Sequence, residues 1–155
     1  MEIYNYHNDK LAASPREIFS VINDDEQLKK IFSILKDIEY NTKGKRSKGT
    51  KFRITLGVRN KTYRFRNEIT EYVENNRIVM KTKLKQGVIT TLFNVEPAGD
   101  YSELTVKSTI ESSMGVRVFA MTAKPVVKSV MNKEMKKLEE AVTRDTEYDK
   151  CNTPA

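Results

Sequence analysis

From Lys51 to Ile110 the chain alternates between apolar and polar residues with a period of two. Phe52, Ile54, Leu56 and Val58 interleave with Lys51, Arg53, Thr55 and Gly57, and Tyr63 and Phe65 with Arg64 and Arg66. Ile78, Met80, Thr82 and Leu84, then Thr91, Phe93 and Val95, then Leu104, Val106, Ser108 and Ile110 continue the pattern. Turn-forming residues separate the runs at Lys43-Gly44, Arg59-Asn60, Glu74-Asn75-Asn76, Gln86-Gly87 and Pro97-Ala98-Gly99-Asp100. Short turns between such strands imply hairpins, hence an antiparallel meander with one face on a core and the other in water.

The flanks carry a different period. Ile3 to Leu11 reads as a first strand. Ser14, Pro15 and Glu17 then form a helix start: a hydroxyl to accept a free backbone N–H, a proline where no N–H is needed, and a carboxylate three residues after the cap. That helix is expected to reach about Ile22. Asn23-Asp24-Asp25 breaks it and caps a second helix, whose stripe is Leu28, Ile31, Phe32 and Leu35. A long helix is expected from about Thr122 to Thr143, with Val127, Met131, Met135, Leu138 and Val142 on one side. Lys128, Lys133, Glu134, Lys136, Lys137, Glu139 and Glu140 are assigned to the other side. Pro125 belongs in its first turn, or marks a kink if the helix begins near Gly115.

The 155 residues suit one domain, 1–143, followed by a polar tail, 144–155, read as disordered. No apolar run nears the length of a membrane span, and the N-terminus lacks the pattern of a secretory signal, so the expected compartment is the cytoplasm. The single cysteine, Cys151, forms no internal disulfide. The formal charge of +7 is spread along the chain, with one denser cluster at Lys43, Lys45, Arg46, Lys48, Lys51 and Arg53. Such a segment could meet nucleic acid, anionic lipid or an acidic partner. Nucleic acid is not the favoured partner, and transient membrane contact stays open.

Strand, two short helices, meander and long helix make an α+β chain that resembles the START-like or Bet v 1-like (SRPBCC) superfamily. The stretches that carry the resemblance are Ala13 to Ile22, Glu68 to Val79, Phe93 to Asp100 and Met135 to Glu139. Within it the chain is most similar to small bacterial polyketide cyclase/dehydrase-like or lipid-transport-like proteins, although it lacks their frequent tryptophans. The resemblance implies a helix-grip fold: a curved antiparallel sheet of six to seven strands, in the order β-α-α-β-β-β-β-β-α, wrapped around the C-terminal helix. It also implies a cavity for a small hydrophobic molecule such as a lipid, a polyketide or an aromatic compound.

The inward faces would then supply Phe52, Ile54, Tyr63, Phe65, Met80 and Phe93, and the helix Val127 and Met131. Asn67, Thr82, Thr91 and Ser108, with Tyr63, would orient a ligand. Phe119 and Met121, just before the expected helix, would form part of a lid.

Catalytic signals are weak. His7 is the only histidine and has no partner at a recognisable spacing, and no nucleophile elbow, zinc motif or dinucleotide fingerprint occurs. Glu68 and Glu71 are the carboxylates expected to face inward, with Glu71 the one catalytic candidate, alternatively paired with a nearby base. No metal and no cofactor are expected. The leading reading is a binding or carrier protein; the alternatives are a cyclase or dehydratase using the same cavity, or an interaction protein acting through residues 43–53.

Overall fold

The computed structural model describes residues 1–42, 44, 46–85, 87–112 and 114–152, without the side chains at 112, 114, 116, 117, 119, 122, 123 and 144–152. Lys43, Lys45 and Gln86, and the side chain of Phe119, therefore lie outside it. The elements are β1 (Glu2–Leu11), α1 (Pro15–Ile22), α2 (Asp25–Ile31), β2 (Leu35–Tyr40), β3 (Lys51–Val58), β4 (Lys61–Val73), β5 (Arg77–Leu84), β6 (Gly87–Ala98), β7 (Tyr101–Ser112) and α3 (Met114–Asn152). All strand pairs are antiparallel, in a single sheet ordered β1-β7-β6-β5-β4-β3-β2.

The local signals act as read. The Ser14 hydroxyl accepts from the Glu17 N–H at 3.1 Å, and the Glu17 carboxylate accepts from the Ser14 N–H at 3.3 Å. Asp24 caps α2 by accepting from the N–H groups of Glu26 and Gln27. Asn75 and Gly99 turn the β4–β5 and β6–β7 hairpins with φ of 60° and 64°.

Three boundaries differ from the sequence reading, one of them being that α3 runs on to Asn152, so positions 144–152, expected to be tail, are helical. Leu35 opens β2 instead of closing a helical stripe, because α2 ends at Ile31 and Phe32 is already extended. This gives a strand more than the expected order wrote out. Helix α3 begins at Met114, so Pro125 sits inside it and the expected lid segment is helical. Within that segment Met121 is 64% exposed.

The core is lopsided. Tyr4 of β1, Leu104 and Val106 of β7 and Val95 of β6 pack with Ile18, Phe19 and Val21 of α1 and with Met135, Leu138 and Val142 of α3. A smaller cluster joins Ile3, Ile110 and Ala120. Polar bonds reinforce the seam between α3 and β1. The Tyr4 hydroxyl donates to Asn132 Oδ1 at 2.8 Å, the Tyr6 hydroxyl donates to Glu139, and Asn8 Nδ2 donates to Glu139 Oε1 at 2.9 Å. The buried Ser102 hydroxyl donates to the Ala13 carbonyl at 2.6 Å, fastening β7 to the β1–α1 turn. Helix α3 thus makes its main contacts with β1, β7, α1 and α2 and leans away from the β3–β5 side.

Burial, and secondarily the Glu140 carboxylate, raise the Glu139 carboxyl above its usual value. The native state then holds this proton more tightly than the unfolded chain. The stability it contributes is complete at low pH and is lost as pH rises through the raised value. Glu139→Gln removes that titration. Melting temperatures measured from about pH 4 to about pH 7 should show the variant gaining on the natural protein as pH rises; a constant difference would contradict the assignment.

Candidate functional site

Because α3 leans on β1 and β7, it does not fill the space over the inner face of β3–β5. The space is closed instead by α1 and α2 and by the stretch of α3 from Met131 to Leu138. The result is a pocket of about 330 Å³, partly open to solvent. Its sheet wall includes Phe52, Ile54, Ile69, Met80 and Phe93; Ile22 of α1, Leu28 of α2 and Phe32 just beyond α2 close it. Among the described residues, the wall side chains that are neither hydrocarbon nor thioether are Arg46, Thr91 and Glu134.

Cross-strand pairing shows why these residues share a face. Phe52 is opposite Asn67, and Ile54 opposite Phe65. Met80 is opposite Ile69 on one side and Thr91 on the other, and Phe93 is opposite Ile78 and Val106. Side chains at paired positions project to one side of the sheet.

Of the residues singled out from sequence, Phe52, Ile54, Met80, Thr91, Phe93 and Met131 are brought together on this wall. The others are placed elsewhere. Tyr63 and Phe65 lie further along the same face, their rings stacked at 6.3 Å, with Tyr63 43% exposed. Val127 packs against the main core. Asn67 and Thr82 are buried and satisfy each other, Thr82 Oγ1 donating to Asn67 Oδ1 at 2.6 Å, while Asn67 Nδ2 donates to the Phe65 carbonyl at 3.0 Å. Ser108 is engaged with Thr91 at 3.0 Å.

Glu71, the catalytic candidate, is turned away from the cavity. The register shifts between Ile69 and Glu71, so Tyr72 takes the inward position opposite Ile78 and Glu71 is opposite Val79. Such a bulge adds a residue and reverses the facing of those that follow. The Glu71 carboxylate, 48% exposed, lies 3.2 Å from Arg77 Nε. Glu68 sits across from Lys51 and Lys81, among charged neighbours.

Sequence reasoning missed the buried carboxylate on the wall. Glu134 was assigned to the solvent face of α3, yet it is only 3% exposed. A signal was present, since residue 134 is three after Met131 and four before Leu138, inside the apolar stripe. Its Oε1 accepts from Ser33 Oγ at 3.0 Å and lies 3.4 Å from Lys137 Nζ; Oε2 is buried without a hydrogen-bond partner. Ser33 is held in the α2–β2 turn, where the Leu35 N–H donates to the Phe32 carbonyl at 3.1 Å. Lys36 donates to the Ser33 carbonyl at 3.0 Å and lies across Gly57, where any Cβ would come within 2.8 Å of its Cε.

Arg46 was read as part of a basic surface segment. It is turned inward, donating to the Ile22 carbonyl, to Asp25 Oδ1 and to the Tyr40 hydroxyl. Its guanidinium carbon also lies 5.9 Å from the centre of the Tyr40 ring. These bonds tie the β2–β3 connection to the α1–α2 corner beside the cavity.

Residues 9–143 match the family described as "Polyketide cyclase / dehydrase and lipid transport". No curated protein sequence matches the chain. Solved structures do, at low identity. TTHA0849 from Thermus thermophilus is 18% identical, with a TM-score of 0.67, covering 91% of this chain and 97% of that one. Ara h 8.0201 is 17% identical, with a TM-score of 0.65, covering 90% and 97%. The di-domain ARO/CYC StfQ from the steffimycin biosynthetic pathway is 10% identical, with a TM-score of 0.71, covering 92% of this chain and 51% of that one. These likenesses show a helix-grip fold.

The buried Asn67–Thr82 pair gives a direct check on which polar groups are structural. Thr82→Val leaves Asn67 Oδ1 without its donor and should cost about 1–3 kcal/mol in urea denaturation. Binding of an apolar probe in the cavity should be unchanged, and a large loss of binding with little loss of stability would reverse that assignment.

Proposed function

The chain belongs to the polyketide cyclase / dehydrase and lipid transport family, and we propose that it works as a cytoplasmic binding protein for one small hydrophobic molecule held between β3–β5, α1–α2 and α3. The observation that carries this reading is the cavity itself: about 330 Å³, walled almost throughout by aliphatic, aromatic and thioether side chains. That size is at the lower end of the range for small-molecule sites. A single ring system or a short chain fits; a two-chain lipid would have to leave most of itself outside. Met80, Met131 and Met135 on the wall suit ligands of varied outline, because an unbranched thioether repacks at little cost.

Removing apolar ligand surface from water supplies about 25 cal/mol per Å², from which the costs of association are subtracted. A fused-ring hydrocarbon such as methylnaphthalene should therefore bind with a measurable negative heat-capacity change. Ile54→Trp fills the cavity from the sheet side and should weaken that binding about tenfold or more while the far-ultraviolet circular dichroism stays native. Unchanged affinity in this variant, or no binding to the natural protein, would remove the basis for the proposal.

A further inference from the structure

Glu134 says what kind of molecule the cavity accepts, an inference that rests on the binding function proposed above. A carboxylate has about four acceptor positions on two oxygens. Both neighbouring donors, Ser33 Oγ and Lys137 Nζ, approach Oε1. Oε2 is buried with no hydrogen-bond partner, on a residue that forms part of the cavity wall and is 3% exposed. The rest of the wall offers little to replace water. Thr91 is engaged with Ser108, and Arg46 with Ile22, Asp25 and Tyr40. A buried acceptor without a donor is disfavoured, so a ligand that brings a donor gains more here than it would in a wholly apolar pocket.

We propose that Glu134 is the polar anchor of the site and that the ligand is a small apolar molecule carrying a hydroxyl or amine that donates to this carboxylate. Ser33 and Lys137 act as positioning residues, holding Oε1, and a ligand donor meets Oε2 once the carboxylate turns that covered oxygen toward the pocket. The same arrangement selects against carboxylic acids, whose ionised form loses its hydration in an apolar pocket and brings no donor to the carboxylate.

The test is a series on one skeleton: methylnaphthalene, naphthylmethanol, naphthylmethylamine and naphthoic acid, measured by titration calorimetry at neutral pH. The alcohol and the amine should bind about tenfold or more tightly than the hydrocarbon, as expected for a hydrogen bond to a charged group, and the acid more weakly than the hydrocarbon. A gain for the amine alone would identify the ligand as a cation; a gain for both identifies the donor itself as the recognised feature. In Glu134→Leu the preference should disappear while methylnaphthalene still binds, and Glu134→Gln, which keeps an acceptor oxygen, should retain part of the preference for the alcohol. Equal binding of hydrocarbon, alcohol and amine to the natural protein would overturn the anchor and leave the apolar site standing. A preference that survives in Glu134→Leu would do the same. Failure of every compound to bind would instead overturn the binding function.

Discussion

Everything about the site follows from where α3 rests on the sheet. Hydrophobic burial holds the apolar side of α3 on β1 and β7. Tyr4, Leu104, Val106, Leu138 and Val142 interlock there with almost no exposure. Protein interiors are close-packed, so a helix seated firmly on one side of a wide sheet cannot also fill the other. The unfilled half is the cavity. The polar bonds of Tyr4, Tyr6 and Asn8 to α3 make the lean definite rather than a shallow preference.

A space of this kind carries a cost, because its lining forgoes contacts that a packed core would make. Burying the Glu134 carboxylate adds to it, since an unpaired buried polar atom costs about 1–3 kcal/mol, more when charged. Lys137, Ser33 and the turn that holds Ser33 offset part of this, but they use only one oxygen. Cores do not keep such groups for stability alone; replacing buried ion pairs with hydrocarbon is often neutral or favourable. Polar groups embedded in an apolar wall are what fix orientation in small-molecule sites.

Much of the architecture was legible because it is written in local rules. The alternation along β3, β5, β6 and β7, the Ser14–Glu17 box and the turn residues Asn75 and Gly99 each encode their own geometry. Phe52, Ile54, Met80, Thr91 and Phe93 could be put on one face for the same reason. The failures arose where a distant contact or a single inserted residue decides. The bulge after Ile69 turned Glu71 outward, against the parity of the strand. The end of α2 cut a helical stripe before Leu35, which became a strand residue. Glu134 looked like one more charge on a charged helix, because the pocket that receives it is made by α2 and the sheet, some hundred positions earlier in the case of Ser33.

The pairing of the first strand with the last has a consequence for how the molecule comes into being. Glu2 aligns with Thr109 and Tyr6 with Val106, so β1 leaves the ribosome long before the strand that shelters it. At translation speeds of about 5–20 residues per second, that interval lasts roughly 5–20 seconds. Asn5, His7, Asn8, Asp9 and Lys10, interspersed through β1, suit a segment that must stay solvated and unpaired for that time without recruiting a neighbouring nascent chain.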